Sequence, residues 1–179
     1  SSLPGYQFTD HHPFFDTLVF GLFVYFGEIG FDSQPFGYFL YVFLQGIAMA
    51  LSLSFSCEYL KSRGLSRRLY FLLVAVYALL PFYPIAAISM TKDSLFTWVY
   101  VLFVVEVFEI VRTKGSCLSS GKHLIFLLAV SLLMCLTKKT GIYVVLVVLL
   151  LLAMFVLKNK LRIVLPIVLT SVVSFAVLP

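Results

Sequence analysis

Apolar runs close to the ~20-residue length that crosses a lipid bilayer recur along this chain, separated by short basic loops. Six such runs are read, over residues 36–60, 69–88, 94–111, 123–137, 141–157 and 163–179. A shorter apolar helix is expected over 13–28, with Pro13 at its first position. In hydrocarbon every N–H and C=O must find its partner within the protein, and a helix meets that demand inside one segment. A water-facing surface is excluded. Hydrophobic residues make up 61 % of the chain and charged ones 12 %, against roughly a quarter charged in soluble domains. The expected fold class is therefore all-α, a polytopic transmembrane bundle with an external juxtamembrane helix. The chain starts at Ser1 and stops at Pro179 inside an apolar stretch. It is expected to be an internal piece of a longer membrane protein or an incomplete gene.

The lysines and arginines set the orientation. Lys61, Arg63, Arg67 and Arg68 fall in one loop, Arg112, Lys114 and Lys122 in another, and Lys158, Lys160 and Arg162 in a third. Alternation puts all three loops on the same side, which the positive-inside rule assigns to the cytoplasm. Lys92, Lys138 and Lys139 fall outside. The net charge of +5 is thereby accounted for by topology, with no need of nucleic acid as a partner. Residues 1–35 hold no Lys or Arg but contain Asp10, Asp16, Glu28 and Asp32. They are read as external, with the 13–28 helix in the membrane interface, where its aromatic residues fit. At 1.5 Å per residue that helix is about 24 Å long, short of the ~30 Å hydrocarbon core. A thin seventh span with an internal N-terminus is the alternative. Of the three cysteines, Cys57 and Cys135 are placed in spans and Cys117 in a cytoplasmic loop. Their spacing matches no metal motif, and their placement argues against a disulfide framework.

Three polar clusters are expected at the outer face: Asp10-His11-His12, Thr91-Lys92-Asp93-Ser94, and Thr137-Lys138-Lys139-Thr140. Asp93 opens a span, where a carboxylate can bind a metal or a sugar hydroxyl or take a proton. It can equally serve as a helix cap and complement the dipole. His11 and His12 can ligate a metal or act as acid and base, or lie in a polar loop leading to Pro13. Lys138 and Lys139 break the positive-inside pattern. They either meet the phosphate of a lipid-linked substrate or snorkel to lipid headgroups. Glu58, Glu106 and Glu109 lie toward the cytoplasmic ends and are read as structural, with Glu109 paired to Arg112 at i,i+3 spacing. Gln45, Ser52, Ser54 and Ser56 are read as helix-packing residues. No phosphate-binding glycine loop, GxSxG, HExxH or CxxC is present.

Three local elements, in order, resemble the GT-C superfamily of polytopic glycosyltransferases, which includes protein O-mannosyltransferases, aminoarabinose transferases and many bacterial relatives. Asp10-His11-His12-Pro13-Phe14-Phe15 is similar to the family's His-Pro element in the first external loop. Lys92-Asp93-Ser94-Leu95-Phe96 is similar to the acidic element that opens a later span, and Lys138-Lys139-Thr140-Gly141-Ile142-Tyr143 to the basic-then-Gly segment. The resemblance covers most of residues 1–157. It implies transfer of a sugar from a polyprenyl-phosphate-linked donor to an acceptor on the external face of the plasma membrane, in bacteria the inner membrane.

Under this resemblance Asp10 and Asp93 are the acids, and His11, His12, Lys92, Lys138 and Lys139 contact substrate. The leaving phosphate needs a cation, from lysine or a divalent metal. The family's principal acid lies upstream of the His-Pro element, whereas none of the nine residues before Asp10 is acidic. Either Asp10 takes that role or the carboxylate lies before Ser1; the second is the favoured expectation, and it leaves this piece inactive alone. A transporter or flippase of a lipid-linked or amphipathic solute is the alternative, and a membrane scaffold without catalysis the third.

Overall fold

A computed structural model describes residues 14–89, 91–155 and 159–177. Every described element is helical: α1 (Phe14–Phe31), α2 (Gln34–Ser62), α3 (Arg67–Leu79), α4 (Phe82–Ile88), α5 (Lys92–Arg112), a 3₁₀ turn (Ser116–Ser119), α6 (Gly121–Thr137), α7 (Lys139–Phe155) and α8 (Lys160–Val177). Two helices, α2 and α5, are long and apolar enough to cross a membrane, and α3 with α4 makes a third if the bent pair counts as one span. Three further apolar helices, α6, α7 and α8, are shorter.

Local chemistry sets the boundaries. The Ser33 hydroxyl accepts the Phe36 N–H at 3.4 Å and Pro35 occupies the first turn, so α2 starts there. Gly64, at φ +98, takes the left-handed conformation that ends α2. The Ser66 hydroxyl caps α3 through the Leu69 N–H. The single run expected over 69–88 is instead two helices meeting at 52°. The Leu80 N–H still reaches the Val76 carbonyl at 3.0 Å. Pro81 then has no N–H to donate, and its ring crowds the preceding turn.

A tight hairpin joins α1 to α2. Asp32 sits at φ 49, and the Ser33 N–H reaches back to the Gly27 carbonyl at 3.1 Å. Gly27 and Gly37 let the two backbones touch: a Cβ at Gly27 would strike the backbone of Gly37 and Ser33, and one at Gly37 the backbone of Phe23 and Val24. Farther along, the Tyr41 ring meets Phe20 and Phe23 edge-on at 4.8 and 5.5 Å. These contacts lay α1 antiparallel along α2.

The main core is formed by α5 to α8. Val99, Phe103 and Ile110 of α5 interleave with Leu127, Val130 and Met134 of α6, Val145 and Leu149 of α7 and Ile163 of α8, all essentially fully buried. α7 folds back on α6 at once because Gly141 rests on the Met134 carbonyl, where no side chain would fit.

Gln45 ties the rest to this core. Its Nε2 donates to the carbonyls of Ala86, Ala87 and Ser89 at 3.3, 3.0 and 2.8 Å, while the Tyr41 hydroxyl donates to its Oε1. The last carbonyls of α4, orphaned as at any helix C-terminus, thus end against the middle of α2, and the start of α5 is fixed beside them. Neither α3 nor α4 buries a residue, and Phe71, Leu72, Leu79, Phe82 and Ile85 are exposed. A contiguous apolar face of this kind suits a hydrocarbon solvent or another protein surface rather than water.

At the opposite end the expected Glu109–Arg112 pair forms, with Arg112 Nη2 2.6 Å from Glu109 Oε1 and Nε 2.9 Å from Oε2. α2 adds two donors to the same carboxylate, Arg63 Nη2 at 3.0 Å and the Tyr59 hydroxyl at 2.6 Å.

Candidate functional site

The site grows from two chain turns at one end of the bundle. α5 begins after Thr91, whose Oγ1 lies 2.9 Å from Ser94 Oγ, with Ser94 N–H on the Thr91 carbonyl at 3.1 Å. Asp93 falls in the first helical turn, its carboxylate exposed and its carbonyl taken by the Thr97 hydroxyl at 2.6 Å. The second turn is the single residue Lys138 between α6 and α7. It is held extended (φ −152), its N–H on the Met134 carbonyl at 3.3 Å and its own carbonyl accepting the Gly141 N–H at 2.8 Å.

These turns bring Lys138 Nζ to 2.6 Å from Asp93 Oδ1, across 45 residues of sequence. The ammonium also stands 5.5 Å from the centre of the Phe96 ring, which stacks on Tyr100 at 5.8 Å. An exposed ion pair stabilises a fold by about 0–1 kcal/mol. Stability alone therefore gives this pair little reason to exist, and its accessibility leaves both groups able to change partner. Asp93 can accept from a hydroxyl, and Lys138 can meet an anionic oxygen.

Along α5, Phe96, Tyr100, Val104 and Phe108 follow one another at helical spacing below Asp93. Tyr100, Val104 and Phe108 line one wall of an apolar groove of about 210 Å³, closed on the other side by Tyr59 of α2 and Tyr77 of α3. A charged pair with an aromatic stripe descending from it into an apolar groove matches an amphipathic ligand: an ionic head with a hydrocarbon tail.

Two of the three clusters read from the sequence therefore meet in space. Lys92 is the first residue of α5 and Lys139 the first of α7, both at this end, with Lys139 exposed. Asp10, His11 and His12 lie outside the described residues. Asp16, in the first turn of α1, is buried to 1 % exposure. The sequence marked it only as one of several acids in that segment.

A second constellation escaped the sequence reading. Glu106, assigned to structure, accepts or donates a 2.9 Å hydrogen bond with His123 Nδ1, and Cys117 brings its sulfur within 4.8 Å of both. The three residues sit on α5, on the 3₁₀ turn and on α6, so no local motif announces them. The one available signal was Gly115, whose left-handed φ of 84 turns the chain back on itself between them. Burial pushes the Cys117 thiol up from its ordinary value. A hydrogen bond from Thr113 opposes the shift, and the carboxylates of Glu106 and Glu109 add to it.

No curated protein and no solved structure matches the chain. One family model does, described as a family of unknown function (DUF6020), and it aligns with residues 4–178. That match runs through the Asp93 and Lys138 turns and the Glu106–His123 constellation alike, and the chain belongs to the DUF6020 family.

Proposed function

We propose that this chain is part of a multi-pass membrane glycosyltransferase of GT-C type, moving a sugar from a polyprenyl-phosphate-linked donor to an acceptor on the external face. The observation that carries the reading is the Asp93–Lys138 pair, two residues singled out independently in the sequence and joined at 2.6 Å. Such a transfer develops negative charge on the leaving phosphate and removes a proton from the acceptor hydroxyl. Lys138, with Lys139 beside it, meets the first demand, as would a divalent cation held by Asp93. Asp93, released from Lys138 when a phosphate takes the ammonium, meets the second. The aromatic stripe and groove below supply a bed for the polyprenyl tail. The bundle then crosses a plasma membrane, the bacterial inner membrane in a bacterium, with the basic loops inside and the turn between α1 and α2 outside.

The test is reconstitution of the full-length protein in liposomes with a labelled polyprenyl-phosphate hexose, reading sugar release or transfer. Asp93→Asn and Lys138→Gln are each expected to lower turnover by about 100-fold, the scale of a lost charge-stabilising donor. The reversed pair, Asp93→Lys with Lys138→Asp, is expected to keep the fold and stay inactive. Wild-type turnover in one of the single variants would remove that residue from the reaction, and wild-type turnover in both would overturn the reading.

One observation favours the second reading, a transporter or flippase. The α3–α4 break presents helix ends in mid-chain, the device that discontinuous transporter helices use around a solute. Movement of the labelled lipid across the bilayer without loss of its sugar would decide for it.

A further inference from the structure

We propose that Glu106, Cys117 and His123 form a binding site for one zinc ion at the end of the bundle opposite Asp93. The two sites are separated by about 20 Å along α5, from the helical rise, and this one stands without the transferase reading.

The donors come from three elements. Glu106 lies on the buried face of α5, Cys117 on the 3₁₀ turn, and His123 in the first turn of α6. His123 Nδ1 and Glu106 Oε1 are 2.9 Å apart, and all three ligand atoms fall within 4.8 Å of one another. Tetrahedral zinc, with bonds of ~2.0–2.3 Å to N, O and S, holds its ligand atoms about 3.3–3.6 Å apart. The imidazole and carboxylate stand closer than that value and the sulfur no more than 4.8 Å from either, so the metal needs adjustments of about 1 Å.

The cysteine turn is held in place from behind. Asn159 Nδ2 donates to the Gly115 carbonyl at 3.1 Å and to Ser119 Oγ at 2.8 Å. Arg162 Nη1 donates to the carbonyls of Leu118 and Ser119 at 2.5 and 2.8 Å, and Leu118 itself is fully buried. A ligand fixed by such a supporting shell is ordered before the metal arrives.

Charge and exposure agree with this assignment. A thiolate and a carboxylate neutralise a divalent cation, and among the described residues Glu106 pairs with no lysine or arginine. The carboxylate side chain is 6 % exposed and the imidazole 39 %. The site is therefore closed toward the bundle and open on the His123 side, where a water or small anion takes the fourth position. The mixed S, N, O donor set fits zinc and disfavours magnesium and calcium, which take oxygen ligands. A hydrogen bond between Glu106 and His123 joins those two groups, and the Cys117 sulfur takes hydrogen bonds from Thr113 and the Leu118 N–H; zinc replaces the first contact while the other two steady the thiolate.

The experiment uses the full chain in detergent, purified without a histidine tag, stripped with chelator and titrated with Zn²⁺ alone against a chromogenic competitor. One zinc per chain is expected. Cys117→Ser and His123→Gln are each expected to weaken binding by about 100-fold, since each removes a direct ligand. A His11→Ala/His12→Ala variant should bind as wild type does. Co²⁺ in the same site should give a thiolate-to-cobalt charge-transfer band in the near ultraviolet, absent in Cys117→Ser. A wild-type chain that takes no zinc or shows no cobalt–thiolate band overturns the assignment, whatever the variants do. So does unchanged affinity in the Cys117→Ser/His123→Gln double variant, or loss of binding in the His11/His12 variant.

Discussion

Gly27 of α1 and Gly37 of α2 face each other with no room for a Cβ on either, so the hairpin closes backbone on backbone. The approach is possible only for glycine, and small residues are the usual means by which apolar helices come this close. Gly37→Ala is expected to destabilise the protein by about 1–3 kcal/mol, the range for forcing extra atoms into a packed contact. Gly46→Ala, on the same helix with open space around it, is expected to be neutral or stabilising, because alanine is the better helix former. Thermal unfolding of the two variants in detergent checks the contrast.

Gln45 carries the clamp on α4. Gln45→Leu keeps the volume but removes the donor, leaving the carbonyls of Ala86, Ala87 and Ser89 without it; each unsatisfied group costs about 1–3 kcal/mol where water cannot enter. Hydrogen exchange over residues 80–91 should rise by about tenfold or more, corresponding to at least ~1.4 kcal/mol of local stability. Unchanged exchange would show that α4 is held by other contacts.

Glu109 gathers Arg112, Arg63 and Tyr59 on one carboxylate. Glu109→Gln is expected to destabilise by about 1–3 kcal/mol. This lies below the 3–5 kcal/mol of a fully buried pair, because both guanidinium groups are more than a third exposed. Chemical denaturation of the variant against wild type measures it, and a loss below about 0.5 kcal/mol, the ordinary spread of surface substitutions, would reduce the cluster to surface decoration.

Cys117 titrates above an ordinary thiol, so at neutral pH it is protonated and slow to alkylate. In chelator-treated protein its alkylation rate should climb with pH and reach half-maximum above the free-cysteine value. Glu106→Gln should move that midpoint down, because it removes a negative charge that opposes the thiolate. A midpoint at or below that of free cysteine would contradict the environment described.

Orientation is open to direct labelling. In intact cells an impermeant maleimide should reach Cys at position 93 or 138 (Asp93→Cys, Lys138→Cys), but should reach Cys117 only after permeabilisation. Cys57 and Cys135 are buried and should stay unlabelled in both. Labelling of Cys117 from outside would invert the topology and move the Asp93 turn to the cytoplasm.

The all-helical character was legible because apolar runs without turn residues leave the backbone no other way to satisfy itself. The Asp93–Lys138 meeting was legible in part. Loop charges placed both residues at one end, but the one-residue link at Lys138 and the glycine behind it had no pattern to reveal them. The break at Pro81 was masked by continuous hydrophobicity on both sides; a proline in such a run kinks or splits the helix according to what holds the segment beyond it, and here Gln45 holds the far end of α4. The Glu106–Cys117–His123 grouping depends on how α5 and α6 pack across the Gly115 turn, information carried by tertiary contacts and not by spacing.

α2 has 29 residues, about 43 Å of helix against ~30 Å of hydrocarbon. Gln45 anchors its middle at the level where α5 begins, so the first third of α2 extends past that level with α1 alongside it, and the exposed Phe39 and Phe43 of α2 and Phe26 and Ile29 of α1 call for an apolar surrounding there too.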